Sequence, residues 1–133
     1  MKLTIILEPG DGEIWARIKA PNTLLTTSGE NVEEVTQNLK SLIQDHLDHE
    51  GKTQSEWDGV KVENIQFDYV YDLAELFDVL SAVKINSIAD LSGINQSLMR
   101  QYASGVKYPS VAQGQKILHA VHQLGQKLMQ VSM

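Results

Sequence analysis

The chain has 133 residues, 42% apolar and 21% charged, and no cysteine. That is the composition of a soluble globular protein of one ordinary domain or two small ones, without disulfides or thiolate metal sites, and it fits a reducing cytoplasm. The net charge of −6 hides a division: residues 1–83 carry six Lys or Arg against sixteen Asp or Glu, net −10, while residues 84–133 carry five against one, net +4.

No segment reaches the apolar length of a membrane span, and the opening MKLTIILEPGDG, whose apolar run ends at Glu8 and Pro9, reads as a strand rather than a signal peptide. Over Lys2–Glu8, Leu3, Ile5 and Leu7 alternate with Thr4 and Ile6, the period of a strand buried on one face and partly on the other. Pro9-Gly10-Asp11-Gly12 predicts a hairpin into Glu13–Ala20, where Ile14, Ala16, Ile18 and Ala20 alternate with Trp15, Arg17 and Lys19. Pro21-Asn22 turns into a third strand, Thr23–Thr27. Asn31 and Glu34 form a capping box for a helix through about residue 48, with Val32, Val35, Leu39, Leu42, Ile43 and Leu47 as its apolar stripe. Residues 49–63 form a polar loop in which Trp57 and Val60 fold back on the apolar layer. Ile65, Phe67, Tyr69 and Tyr71 then mark a last strand. The first part is therefore a βββαβ domain, 1–71, and the whole chain α+β.

The remainder, 72–133, is predicted all-α. Asp72 and Glu75 suggest a second capping box for a helix ending near Val83. Ser87 can cap the next, with Ile88, Ala89 and Leu91 inward. Gly93, four residues after Ala89, ends it in the left-handed conformation that glycine alone reaches without steric cost, and Ile94 plugs the corner. Asn95 caps a following helix in which Leu98, Met99 and Tyr102 point inward and Gln96, Ser97, Arg100 and Gln101 outward, until Gly105. Pro109 and Ser110 open a final helix whose Ile117, Val121, Leu124 and Leu128 step by 4, 3 and 4 residues, a short heptad-like seam.

This spacing fits a helix-turn-helix whose second helix enters the major groove of double-stranded DNA. Arg100 suits guanine, Gln96 or Gln101 suits adenine, and Asn95 starts the same face. Ser97, Ser104, Lys107 and Tyr108 suit phosphates, which position a helix without reading sequence. Each half is small enough that a second copy should add stability, so a homodimer and a palindromic operator are expected.

The run SGENVEEVTQNLKSLIQ after a third strand, together with SIADLSGINQSLMRQYASGVKYPS and its Ser104-Gly105 and Pro109-Ser110 exit, resembles the HicB family, the antitoxins of HicA–HicB toxin–antitoxin systems. The resemblance covers essentially the whole chain. It implies a degraded, catalytically inactive ribonuclease-H-like first half that holds a small basic HicA-like ribonuclease toxin, and a Cro/repressor-type second half that represses its own operon. Family members commonly carry a Pro-Gly-Cys-type segment between strands two and three, where this chain has Pro21-Asn22-Thr23. A stand-alone transcription regulator, its first half used for dimerisation or ligand sensing, is the alternative.

An enzyme would have to draw on Asp11, Glu13, Asp68 and Asp72 near strand ends, but Asp11 sits in a turn and Asp72 suits a cap. There is no P-loop or dinucleotide glycine signature, and no cofactor is indicated. His46 and His49 among Asp45, Asp48 and Glu50 are better read as solvated groups favoured at a helix C-terminus than as metal ligands. His119 and His122 are read as flanking the last helix's packing. Trp15 and Trp57 are expected on the sheet face away from the helix, and Tyr69 and Tyr71 as packing residues.

Overall fold

The computed structural model describes residues 1–21, 23–50 and 54–132. Asn22 of the expected Pro21-Asn22 turn, and Gly51, Lys52 and Thr53 of the polar loop, lie outside them. The fold is α+β, a four-stranded mixed sheet followed by helices, in two compact units, Met1–Val70 and Tyr71–Met133.

In the first unit, β1 (Lys2–Pro9), β2 (Ile14–Ala20) and β3 (Thr23–Gly29) form an antiparallel meander, with β4 (Gln66–Tyr71) beside β1 in the order β3-β2-β1-β4. The hairpin closes where expected: the Gly10 N–H donates to the Glu13 carbonyl at 2.9 Å and Pro9 stands opposite Ile14. Register Ile5↔Ile18 and Leu7↔Ala16 puts the apolar residues of neighbouring strands side by side on one face.

Helix α1 (Val32–His49) covers that face, burying Val35, Leu39 and Ile43 against Leu3, Ile5, Leu7 and Ile18. Each such side chain removed from water stabilises by about 1.5–3 kcal/mol. Asn31 accepts from the Glu34 N–H at 2.8 Å, but the Glu34 carboxylate answers to the Glu30 N–H, one residue before the cap, at 3.4 Å. Tyr69 bonds Thr36 at 2.9 Å and Lys40 lies over the Phe67 ring, so both aromatics sit on the helix side as packing residues.

The two tryptophans part company. Trp57 folds back as expected, 2% exposed, its indole N–H donating to the Pro21 carbonyl at 2.9 Å and its ring edge-on to His46 at 5.1 Å. It therefore lies at the end of α1, not on the opposite sheet face. Trp15, 48% exposed, alternates with buried Ala16 and does lie on that face. His46 is buried rather than solvated because Trp57 covers it, and its nitrogens meet Gln54 at 3.2 Å and Glu50 at 3.4 Å.

The second unit contains α2 (Ala74–Val79), α3 (Ile85–Ser92), α4 (Gln96–Ser104) and α5 (Val111–Met129). Helix α2 is shorter than expected and has no capping box: Asp72 accepts from the Ala74 N–H, two residues on, which makes a turn before the helix. After Val79 the chain continues through turns, Ser81 N–H to Asp78 carbonyl and Val83 N–H to Leu80 carbonyl. Ser110 caps α5 through the Gln113 N–H at 3.2 Å. Helix α5 buries Gly114, Ile117 and Ala120, while Val121 and Leu124 are half-buried and Leu128 is 62% exposed. His119 and His122 face solvent, since the buried set fixes the inward side and they fall opposite it.

Candidate nucleic-acid interface

Helix α3 starts at Ile85, two residues earlier than a Ser87 cap would place it; Ser87 lies inside it and its N–H bonds the Lys84 carbonyl at 3.0 Å. The start at Ile85 makes Ile85, Ile88, Ala89 and Ser92 the inward i, i+3, i+4, i+7 set. Leu91 falls outside that set and is 42% exposed rather than inward. Ser92 is satisfied locally, its hydroxyl donating to the Ile88 carbonyl at 2.7 Å.

Gly93 adopts φ 73°. There the Ile94 N–H reaches the Ala89 carbonyl at 3.0 Å and the Gly93 N–H the Asp90 carbonyl at 3.4 Å, the paired bonds of a left-handed helix exit. The exit turns Ile94 into the core, 7% exposed, and delivers Asn95, whose side-chain oxygen accepts from the N–H groups of Ser97 (2.8 Å) and Leu98 (3.2 Å). Helix α4 repeats the exit at Gly105, φ 78°, with Val106 N–H on the Gln101 carbonyl at 3.0 Å. Between these fixed ends Met99 and Tyr102 are buried.

The opposite face of α4 presents the expected polar set. Asn95, Gln96, Ser97, Arg100 and Ser104 are exposed. Gln101 is half-buried instead of outward, because the exit turn folds back over it: its carbonyl receives the N–H groups of Val106 and Lys107 and the Ser104 hydroxyl. Lys107 and Tyr108 are exposed beyond the helix, ~12 Å along the axis from Gln96 to Ser104 and then further on. The residues thus form two groups, one at each end of α4.

Two residues absent from the sequence expectation join the first group. Arg100 donates to the Asn86 side-chain oxygen at 3.3 Å, and Val83, Lys84, Ile85, Asn86 and Arg100 line a shallow depression of about 370 Å³. Lys84 caps α3 by its backbone alone, so this start is not closed by a side chain. The signal available in sequence was a lysine and an asparagine at a helix start, too common to single out. Gln96 is held by Asp90 at 3.3 Å.

Compared with protein-family models, curated proteins and solved structures, the chain matches none. The local charges therefore carry the chemical description. Lys84, Arg100 and Lys107 face a single acid, Asp90, between residues 84 and 108. Over the whole second unit the balance is smaller than the +4 of residues 84–133, because Asp72, Glu75 and Asp78 belong to it: five cations meet four acids, net +1. Asp78 lines a depression of about 310 Å³ that also holds Arg100 and Ser104. Three of the five cations, Lys84, Arg100 and Lys107, fall between residues 84 and 108, and Lys116 and Lys127 belong to α5.

The first unit carries six Lys or Arg against thirteen Asp or Glu, net −7. Asp48, Asp58 and Glu63, with Lys61 the one cation among the described residues, line an open groove of about 560 Å³ alongside Leu47, Trp57 and Val60. Of the carboxylates weighed as catalytic, Asp68 pairs with Lys2 at 3.2 Å, Asp72 accepts from the Ala74 N–H, and Asp11 and Glu13 stand exposed at the hairpin. Among the described residues no group of three or more His, Asp or Glu is placed to hold a metal ion, and no helix is long and apolar enough to cross a membrane.

Proposed function

We propose that this chain is a DNA-binding transcriptional repressor of antitoxin type, HicB-like, with a helix-turn-helix formed by α3 and α4 and a partial ribonuclease-H-like first half. The observation that carries the proposal is the exposed Gln96-Ser97-Arg100 face of α4, pinned at its start by Asn95 and at its end by the left-handed Gly105. A helix with fixed ends and a polar N-terminal face fits the major groove, where Arg100 forking onto guanine discriminates by about 1–3 kcal/mol. Lys84 at the open start of α3, with Lys107, Tyr108 and Ser104 at the far end of α4, supplies phosphate contacts that fix the orientation.

The first unit acts differently. At net −7 it is repelled by DNA and attracts a basic protein, and the groove carrying Asp48, Asp58 and Glu63 beside Leu47 and Val60 offers charge and apolar surface together. The partner that fits is a small basic ribonuclease, blocked while bound. The short Pro21-Asn22-Thr23 connection favours the second reading, a stand-alone regulator with no toxin.

Titration of the purified chain onto a labelled duplex from its own upstream region, against a scrambled duplex, tests the DNA half. Sequence-dependent saturation supports it; equal weak binding to both refutes it. Co-purification with a basic protein encoded alongside, abolished by Asp48→Lys with Asp58→Lys, supports the antitoxin reading, and its absence leaves the stand-alone regulator.

A further inference from the structure

Two exposed side chains on α4 suit base edges, Gln96 and Arg100, and each is held from α3. Gln96 donates from Nε2 to Asp90 Oδ1 at 3.3 Å, and Arg100 donates from Nη2 to Asn86 Oδ1 at 3.3 Å. Gln96 and Arg100 stand four residues apart on α4, and Asn86 and Asp90 four apart on α3, so each pair shares one face of its helix. Asn86 and Asp90 are exposed as well. Hydrogen bonds between exposed groups largely replace bonds to water and add little to stability, so what these two contacts fix is orientation.

We infer that Asp90 and Asn86 are positioning residues that set which bases α4 reads, an inference that rests on the DNA-binding reading proposed above. The chemistry of each contact leaves one orientation. A carboxylate only accepts, so the amino end of the Gln96 amide must face Asp90; its second N–H and its carbonyl oxygen are left for a base, the donor and acceptor that match N7 and N6–H of adenine. A guanidinium only donates, so the Asn86 oxygen must face Arg100, and the remaining N–H groups of Arg100 stay available for N7 and O6 of guanine. Long side chains lose conformational freedom when they bind, and holding one in advance removes a penalty of about 2- to 10-fold in affinity. Asp90 is moreover the single acid between residues 84 and 108, where its charge weakens binding to any duplex. A carboxylate there favours selection over affinity.

Fluorescence anisotropy on the labelled upstream duplex and its scrambled counterpart tests this through two double-mutant cycles. Asp90→Ala should lower the ratio of upstream to scrambled affinity about 2- to 10-fold while binding the scrambled duplex at least as tightly as the wild type does. In a Gln96→Ala background the same substitution should leave the ratio where Gln96→Ala alone puts it. Asp90→Asn, whose amide oxygen still accepts, should keep the wild-type ratio and bind both duplexes more tightly. Asn86→Ala should likewise lower the ratio, and have no further effect in an Arg100→Ala background. The inference is overturned, with the DNA-binding reading intact, if the wild type discriminates and Asp90→Ala or Asn86→Ala discriminates equally well. It is overturned too if both duplexes lose affinity alike, as damage to the fold would cause, or if either loss persists once the side chain being held is gone. A wild type that binds both duplexes alike overturns the reading and the inference together.

Discussion

The Tyr71 ring lies directly against the backbone of Gly114, so near that a Cβ on Gly114 would fall well inside van der Waals contact with three ring carbons. Tyr71 is itself tied to the unit by its N–H, which donates to the Pro109 carbonyl at 2.8 Å, so the ring cannot easily withdraw. Replacing a mid-helix glycine by alanine ordinarily stabilises by about 1 kcal/mol. At Gly114 the overpacking should outweigh that gain, giving a net loss of about 1–3 kcal/mol for Gly114→Ala. Gly125, in the same helix, has open space where its Cβ would be, and Gly125→Ala should stabilise by up to ~1 kcal/mol. Urea denaturation of the two variants should move in opposite directions.

Burial also raises the pKa of the Tyr71 phenol above its usual 10.0. The sign follows from proton binding: between the two values the unfolded chain has lost a proton that the folded chain still holds, so unfolding is favoured as pH rises. Stability from this group is fully present below pH 10.0 and is lost as pH climbs through the folded value. Thermal melts from pH 8 upward should show a steeper alkaline decline in the wild type than in Tyr71→Phe.

The environments of the tryptophans separate their emission. Trp57 is 2% exposed and Trp15 48%. Trp15→Phe should leave a blue-shifted spectrum from buried Trp57, and Trp57→Phe a red-shifted one. Trp57→Ala should cost about 3–5 kcal/mol, because it empties a filled site and leaves the Pro21 carbonyl and His46 without their neighbour.

Asn95 joins the architecture to the candidate interface. Its side-chain oxygen accepts from the N–H groups of Ser97 and Leu98 and so holds the first turn of α4, while the residue stays exposed at the start of the candidate face. Asn95→Ala should lower stability by about 1 kcal/mol, measured by denaturant midpoint, and Asn95→Ser should restore most of it.

Much of this was legible in the chain because the signals were local. Alternation in Leu3, Ile5 and Leu7, the Pro9–Gly12 turn and the cap residues Asn31, Asn95 and Ser110 act within a few residues, and the structure places each where the pattern implied. What escaped depended on distant partners. His46 looked like a solvated terminal residue because only the return of Trp57, eleven positions on, buries it. Asn86 joins the candidate interface only through Arg100, fourteen residues away. Ser87 was misplaced by a wrong helix start, since α3 already begins at Ile85, and Leu91 by its phase, since it turns away from the Ile88 and Ala89 face that was read correctly. Tyr71 was read as packing, but nothing local shows that its counterpart is Gly114.

The central claim is that the outward face of α4 reads DNA, and fluorescence anisotropy on the upstream duplex, comparing the wild type with Arg100→Ala at several salt concentrations, tests it most directly. The account predicts saturable wild-type binding whose log affinity falls with log salt by ~0.9 per phosphate contacted. Arg100→Ala should retain the fold, lose about 1–3 kcal/mol on the specific duplex, and show little change on the scrambled one. Wild-type affinity that is the same for both duplexes, or specific binding that Arg100→Ala leaves intact, would contradict it.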